Sequence, residues 1–289
     1  VYSQSGAFVY ANSHGFIGGY PSSRHSISCS VIAESNNQMQ RDYWYSSARD
    51  ALDLASPEQV GQIAGLRTVK RLDARPLKTG QYPVLFEAPL ASGLIGTLLS
   101  AISGSNLYRK SSFLLDSLGQ TIASPLLHID EDPFILKGAG SSPFDNEGVA
   151  CQQRTLVENG VLQGYLLGSY SARKLGMQST GNAGGAHNIL VRSTGHNLEQ
   201  LLQTMGTGLL VTELLGHGMN MITGDYSRGA AGYWVENGVI AHPVEEITIA
   251  SNMLEMLKGI VAIGNDIIPN NSKLTGSILI DRMTIASAD

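Results

Sequence analysis

Alternation between apolar and small polar residues dominates the first part of the chain. Residues 7–11 predict a strand, residues 12–15 a turn and residues 16–20 a returning strand. Residues 26–33 alternate at period two, which is typical of a half-buried strand, and residues 38–45 predict one more strand. We therefore expect the chain to open with an antiparallel meander.

Helical spacing of apolar residues begins after this meander. Ser56 supplies an N-cap and Pro57 a first-turn proline, and apolar residues then recur at helical spacing until Pro76. Further elements are a buried strand at residues 83–86, a buried helix at residues 89–103, and helices that begin after Asn197 and after Ser251.

Two Asn-Gly pairs predict tight hairpins. Asn159-Gly160 and Asn237-Gly238 each stand between β-branched or apolar residues, a pattern that favours type I′ turns. Helices and antiparallel hairpins occur in blocks, without strict β-α-β alternation. The pattern therefore predicts an α+β fold in which antiparallel sheets with β-hairpins pack against several helices.

Composition excludes several classes of protein. Hydrophobic residues make up 43% and charged residues 15% of the 289 residues, as in ordinary globular proteins. The net charge of −5 and the lack of a Lys/Arg-rich run remove the usual reason to propose nucleic-acid binding. Two cysteines without a CxxC pair indicate a reduced compartment, so we expect a cytoplasmic protein. Residues 88–102 are too short and too polar for a membrane span, and the absence of an initiator Met before Val1 suggests a fragment.

Two glycine-rich segments carry most of the candidate binding groups. Residues 222–232 predict a loop that feeds the second hairpin, and its cluster of Asp, Tyr, Ser and Arg favours contact with a ligand or partner over a plain connector. Residues 179–187 predict a second loop, which either contacts a ligand or peptide or is a mobile surface connector. This segment lacks GxGxxG and Walker patterns, so nucleotide binding has little support.

Spacing alone assembles no catalytic set. None of the seven histidines pairs with another at metal-ligand spacing along a helix, and HExxH is absent. His187, His217 and Asp225 lie near the glycine-rich segments and are the groups that folding could bring together. Nothing local marks Cys151 as an activated thiolate, so we interpret it as a buried, inert cysteine.

Four motifs make the chain resemble the TldD/PmbA family: residues 108–111, 142–148, 179–185 and 222–232. The resemblance runs from the first strands to the last and is strongest to the PmbA branch, also called TldE. It implies a PmbA/TldD-like fold. Residues 1–75 would form the end of an N-terminal or middle α+β region, with a strand meander and a helix, and residues 76–289 the C-terminal domain.

The resemblance also implies a division of chemistry between two subunits. In this family the TldD branch holds zinc through an HExxxH helix and a distant cysteine, and PmbA proteins join it in processing unfolded peptides such as a microcin leader. In this chain the zinc helix would fall at residues 95–101 and the cysteine ligand at residues 274–276, and neither segment carries His, Cys, Asp or Glu. Catalytic zinc needs three protein ligands. We therefore expect no catalytic residue and no cofactor in this chain, with zinc in the TldD-type partner.

The resulting hypothesis places both glycine-rich segments at a subunit interface or along a peptide passage. The residues predicted to contact substrate or partner are Thr180, Gly181, Asn182, His187, Thr223, Gly224, Asp225, Tyr226, Ser227, Arg228 and Gly229. The expected partners are a TldD-type zinc protease subunit and an unfolded peptide, without direct contact to nucleic acid or membrane, and a second copy when the chain is alone.

Three alternatives stay open at this point. The chain could be an independent peptidase that uses His187 or His217 with Asp225. It could be a DNA- or gyrase-binding module, which the family's older label, modulator of DNA gyrase, suggests. It could also be a homodimeric scaffold without a role in proteolysis.

Overall fold

A long antiparallel meander opens the chain, as predicted. The computed structural model describes residues 1–36 and 38–287. Strands β1 (Tyr2–Ala11), β2 (Ile17–Ser35) and β3 (Gln38–Ala48) form a three-stranded sheet in that order. The two strands predicted at residues 16–20 and 26–33 are one strand, β2. Pro21 does not interrupt it, because Pro21 lies where β2 pairs with β1 alone and a strand can lack one N–H donor there.

Helix α1 (Pro57–Lys70) begins at the predicted cap. The Ser56 side chain accepts a hydrogen bond from the backbone N–H of Gln59, and the helix ends at Lys70, well before Pro76. Between β3 and α1 lies a short 3-10 turn at Ala51–Asp53. The helix packs on β2 and β3, so the meander and α1 form one two-layer unit.

The remaining strands and helices follow in mixed order. The strands are β4 (Gly80–Phe86), β5 (Ile129–Asp132), β6 (Arg154–Glu158), β7 (Val161–Leu162), β8 (Asn188–Val191), β9 (Gly208–Leu215), β10 (Asp225–Glu236), β11 (Val239–Asn252), β12 (Ile260–Ile263), β13 (Lys273–Leu274) and β14 (Ile278–Ser287). The helices are α2 (Ala88–Ala101), α3 (Gly104–Tyr108), α4 (Ser169–Leu175), α5 (Leu198–Met205) and α6 (Met253–Lys258). The last two residues of the region predicted at 76–289 lie outside the described residues.

A six-stranded sheet forms the centre of this part of the chain. Its order is β11-β10-β9-β4-β14-β12, and all neighbours are antiparallel except β4 and β9. Strand β11 also pairs with β14, so five strands close on themselves. A smaller sheet has the order β13-β8-β5-β6-β7, with only β13 and β8 parallel within the described strands. The α+β class, with antiparallel sheets and hairpins packed against helices, is confirmed.

Both Asn-Gly pairs form the predicted turns. Asn159 and Gly160 have φ of 48° and 80°, and Asn237 and Gly238 have φ of 51° and 76°. Two successive residues with positive φ define the type I′ turn that joins adjacent antiparallel strands. The first turn connects β6 to β7 and the second connects β10 to β11.

Helix α2 lies in the main core, as the apolar sequence of residues 89–103 predicts. Ile95 and Leu98 are fully buried among side chains from β4, β9 and β14. The other predicted helices are also present: α5 carries a capping box between Asn197 and Gln200, and α6 begins after the cap residue Asn252. In the described part of the chain, no helix has both the length and the apolar character needed to cross a membrane.

Candidate functional site

The two segments where relatives would place zinc ligands meet in space. Residues 95–101 lie in α2, and β13 packs against this helix. A Cβ on Gly96 would stand 3.2 Å from Cε of Lys273, so the lysine side chain lies over the glycine. Residues 95–101 and 274–276, which the resemblance assigned to the zinc ligands, therefore form one location at the junction of α2 and β13.

This junction does not suit zinc. It presents the buried apolar face of α2 and the cationic side chain of Lys273, and a nearby ammonium opposes a bound cation. The carboxylate of Asp266 already accepts hydrogen bonds from the backbone N–H and the hydroxyl of Ser277, at 2.8 and 2.6 Å. Across residues 1–36 and 38–287, no group of three or more His, Cys, Asp or Glu side chains is arranged to hold a metal ion.

Residues 223–229 do not form the loop that the sequence predicts. Strand β10 begins at Asp225, and only the turn before it is irregular. The glycines reflect close strand packing: a Cβ on Gly232 would lie 1.9 Å from the carbonyl oxygen of Leu210 in β9, and one on Gly229 would lie 3.2 Å from Cβ of Leu215. The glycines in this segment therefore allow close strand packing within a sheet. The sequence pattern alone does not distinguish such a strand from a glycine-rich loop.

The predicted contact residues of this segment face different environments. Thr223, Asp225 and Ser227 are exposed, whereas Tyr226 is only 3% exposed. Asp225 accepts a hydrogen bond from the Thr223 hydroxyl at 2.6 Å. Replacement of Gly224 or Gly229 would disturb the fold, because Gly224 has φ of 81° and Gly229 lies against Leu215.

Hydrogen-bonded side chains fix the other glycine-rich segment, so it is not a loose connector. Asn182 donates to Glu131 Oε1 at 2.8 Å and accepts from Arg154 Nη2 at 2.7 Å. The Thr180 hydroxyl donates to Asn182 Oδ1 at 2.7 Å. Gly181 takes φ of 70°, which lets its backbone approach residues 150 and 151. The segment is thus part of the interior, and its tip alone borders solvent.

His187 ends this segment in a chain of three buried groups that the sequence did not reveal. Its Nε2 lies 3.0 Å from Sγ of Cys151, and its Nδ1 lies 3.0 Å from Oε1 of Glu131. The backbone N–H of His187 donates to the same carboxylate at 2.9 Å, and Arg154 Nε donates to it at 2.9 Å. Thiol, imidazole and carboxylate therefore follow each other in the order used by nucleophilic hydrolases.

The electrostatics of this chain do not favour nucleophilic catalysis. Burial, together with the negative charges of Asp145 and Glu131, raises the pKa of the Cys151 thiol to about 11. Burial would raise the pKa of Glu131 as well, but hydrogen bonds from His187 and the charge of Arg154 lower it to about 2. At neutral pH the thiol therefore stays protonated and donates to His187 beside a permanent carboxylate. This agrees with the interpretation of Cys151 as buried and inert.

His187 and Asp225, which the independent-peptidase alternative would pair, have different hydrogen-bond partners in the structure. His187 bonds to Cys151 and Glu131, whereas Asp225 bonds to Thr223 and faces Asn252. Within the described residues, no hydrogen bond or ion pair joins Asp225 to His187 or His217. The partners of His187 come from β5 and from the residue stretch before β6, so no local spacing in the sequence could have predicted them.

The tip of residues 182–185 borders an open cleft of about 480 Å³. Its opposite wall comes from α3 and α4, where Tyr108 and Tyr170 meet edge-on with ring centroids 5.5 Å apart. Tyr170 is 52% exposed. Of the predicted contact residues, Asn182 therefore lines this cleft, and those in β10 are not part of its lining.

Comparison with known proteins identifies relatives over nearly the whole chain. Residues 1–72 match the family described as PmbA/TldA metallopeptidase central domain, and residues 79–287 match the PmbA/TldA metallopeptidase C-terminal domain. The chain is 52% identical to Metalloprotease PmbA of Escherichia coli O157:H7 over 284 residues. That match covers 98% of this chain and 63% of the relative, so the chain spans less than two thirds of its length.

Solved structures share the fold. A proposed modulator of DNA gyrase from Bacteroides thetaiotaomicron superposes with a TM-score of 0.94 at 30% identity, covering 99% of this chain and 65% of the other. TldE from Thermococcus kodakarensis superposes with a TM-score of 0.87 at 24% identity, covering 99% and 68%. The second likeness concerns the fold alone.

Proposed function

Because the chain belongs to the PmbA/TldD metallopeptidase family, we propose that it is the non-catalytic subunit of a heteromeric peptidase whose zinc is held by a TldD-type partner. Its substrate would be an unfolded peptide, as in the removal of a leader from a peptide precursor. This subunit would act in the cytoplasm and without direct contact to nucleic acid, and would form a homodimer when the partner is absent.

One observation carries the proposal. At the junction of α2 and β13, where a zinc site would require imidazole, carboxylate or thiolate groups, the chain has Gly96 beneath the side chain of Lys273. A catalytic zinc needs three protein ligands, an open position for water and a carboxylate base. This chain supplies none of them there, so the chemistry is assigned to the partner.

The role left to this subunit is to close the cleft and guide the peptide. An unfolded peptide is bound mainly through its main chain, which demands edges and open clefts more than specific side chains. The cleft between residues 182–185 and Tyr170 offers such a surface. Strand β10 is paired with both β9 and β11, so it offers only its exposed side chains as a second contact surface. Asn182 in this cleft and the exposed Asp225 and Ser227 in β10 are among the residues predicted to contact substrate or partner.

Native mass spectrometry of this subunit with its TldD-type partner tests the proposal. We expect a heteromer in which zinc is present in the amount of the TldD-type chain, and peptide cleavage that needs both subunits. The matched control is a partner whose zinc-helix histidine is replaced by alanine, which should still bind this chain but lose cleavage. Stoichiometric zinc on this chain when purified alone would overturn the proposal.

A second function is favoured by the name Metalloprotease PmbA of the Escherichia coli relative. In that case the full-length protein would cleave peptides by itself in a chelator-sensitive manner. The same measurement decides between the two, because zinc and activity would then remain with this chain in the absence of its partner. A DNA-binding role has less support, since the net charge of −5 gives no overall electrostatic attraction to DNA.

A further inference from the structure

A cavity of about 550 Å³ lies between the first sheet and the loops of the second region. Its floor is one face of β1, β2 and the end of β3. Its opposite wall consists of residues 135–139 and 269–271 with Leu274. The volume falls within the range of roughly 300–1,000 Å³ that is usual for small-molecule sites. Neither the zinc-site argument nor the cleft at residues 182–185 involves this cavity.

All charged residues that line this cavity are cations, although the chain as a whole is acidic. They are Arg24, Arg49 and Lys137. Lys137 pairs with two carboxylates at the rim, where its Nζ lies 2.7 Å from an Asp50 oxygen and 2.9 Å from one of Asp53, so it is not available to an anion. The two guanidinium groups are different, because within the described residues neither is paired with a carboxylate.

Arg49 is used to hold the cavity wall. It donates to the carbonyl oxygens of Gly138 and Ala139 at 2.9 and 3.0 Å and to the Ser22 hydroxyl at 2.7 Å. These partners engage each of the three guanidinium nitrogens once but leave the positive charge without a counter-ion. Arg49 therefore fixes the loop and contributes one positive charge to the cavity.

Arg24 is the group that remains for a ligand. Arg24 is exposed, and its Nε donates to the Ser47 hydroxyl at 3.2 Å, which leaves both terminal nitrogens available. In β2 it lies opposite Gln4 of β1, on the same side of the sheet as the cavity. Among the described residues, neither guanidinium group in this cavity has a carboxylate partner, and a bound carboxylate would supply one through paired N–H donors of Arg24.

The other polar groups of the wall are occupied. Asn188 accepts from the backbone N–H of Gly140 at 2.7 Å and donates to Asp132 and Ser141, while Asn270 bonds to the backbone of Ser47 and Tyr45. Apolar surface is available beside them from Phe8 and Leu274 and from Leu136, which is 90% exposed. The cavity thus offers one free cationic fork next to an apolar surface.

We propose that this cavity binds the C-terminal carboxylate of a short peptide whose last side chain is apolar. Arg24 holds the carboxylate, and Phe8 and Leu274 contact the side chain. The choice of a peptide among carboxylates rests on the proposed function, whereas the anion site itself follows from the unpaired guanidinium groups. A subunit with such a cavity would retain peptide C-termini on its own surface.

Calorimetric titration of the chain with acetyl-Gly-Gly-Leu, in low salt, tests the proposal. We expect the free acid to bind and the C-terminal amide of the same peptide to bind at least about tenfold more weakly, since one charge-assisted pair is lost. Arg24→Gln should weaken the free acid by the same factor. Arg24→Lys should fall between the two, because it keeps the charge but not the planar fork. Arg41→Gln, an exposed arginine of β3 outside the cavity, is the matched control and should leave binding unchanged.

Equal affinity for acid and amide, or binding that is indifferent to Arg24→Gln in a variant with native circular dichroism, would overturn the proposal. Acetate or inorganic phosphate binding as tightly as the peptide would overturn the assignment to a peptide terminus. Neither result would alter the zinc content or the subunit composition, so failure here is distinguishable from failure of the proposed function.

Discussion

Sγ of Cys151 and Nε2 of His187 lie 3.0 Å apart within the protein interior. Both side chains are less than one tenth exposed, and the carboxylate of Glu131 holds the imidazole from its other nitrogen. The raised pKa of the thiol keeps the proton on sulfur at neutral pH. The pair is consequently a hydrogen bond that holds residues 179–187 in place, and its chemical behaviour can be predicted.

Cys151 should resist alkylation in the folded protein. Treatment with iodoacetamide at pH 7 is expected to label the half-buried Cys29 first and Cys151 only after denaturant is added, because a buried protonated thiol reacts slowly. Mass spectrometry of tryptic peptides gives the two rates. Rapid labelling of Cys151 in native buffer would contradict a protonated thiol and make Cys151, His187 and Glu131 a candidate nucleophilic site.

Glu131 should make the protein acid-sensitive. Its pKa in the folded state is about 2 and its ordinary value is 4.5, so the carboxylate stabilises the fold above about pH 5 and loses that effect as the pH falls toward 2. The lowered pKa of Glu131 corresponds to a contribution on the order of 3 kcal/mol to the free energy of unfolding. Glu131→Gln should lower stability at pH 7 and flatten its dependence on pH, as measured by urea unfolding across this window.

The matched control for that variant is Glu158→Gln, which changes an exposed glutamate of β6 in the same sheet. It should leave both stability and pH dependence nearly unchanged. Identical acid profiles for the wild type and Glu131→Gln would show that the network around Glu131 does not contribute to stability.

Gly160 should tolerate alanine much less well than Gly15. Both have positive φ, 80° and 88°, which costs an L-residue about 1 kcal/mol. A Cβ on Gly160 would also lie 2.3 Å from the carbonyl oxygen of Ala123, whereas a Cβ on Gly15 would meet no atom within 4 Å. Gly160→Ala should therefore lower the free energy of unfolding by clearly more than Gly15→Ala, and equal losses would contradict the packing described for this turn.

An exposed residue of β10 should report on substrate or partner contact. Ser227→Arg adds bulk and charge to the predicted surface without disturbing a glycine, and it should reduce peptide turnover by the complex at least about tenfold if that surface is a contact. Gln62→Arg, on the exposed side of α1, serves as the control. Turnover that is unchanged in Ser227→Arg would remove residues 223–229 from the proposed contact surface.

The cap and turn that depend on neighbouring residues were predicted from the sequence, whereas contacts that depend on residues distant in the chain were not. The Ser56 cap and the Asn159-Gly160 turn were predicted because capping and turn formation depend on residues two or three positions apart. The segment at residues 222–232 was wrongly predicted as a loop, because the reason for Gly232 lies across the sheet in Leu210. The partners of His187 were also missed because they are distant in the chain: Glu131 lies in β5, and no local sequence pattern connects it to His187. Whether the predicted contact residues bind substrate stays a prediction.

The five strands that close on themselves also affect how the chain folds during its synthesis. Strand β14 pairs with β4, β11 and β12, so three strands have an unsatisfied side until it arrives. A ribosome exposes the earlier strands first, and long-range pairings of this kind are slow to form. A nascent chain would present open edges during that interval, when chaperone binding is most useful. A stop codon a few residues upstream of β14 should therefore cause aggregation of the product and not merely shorten one strand.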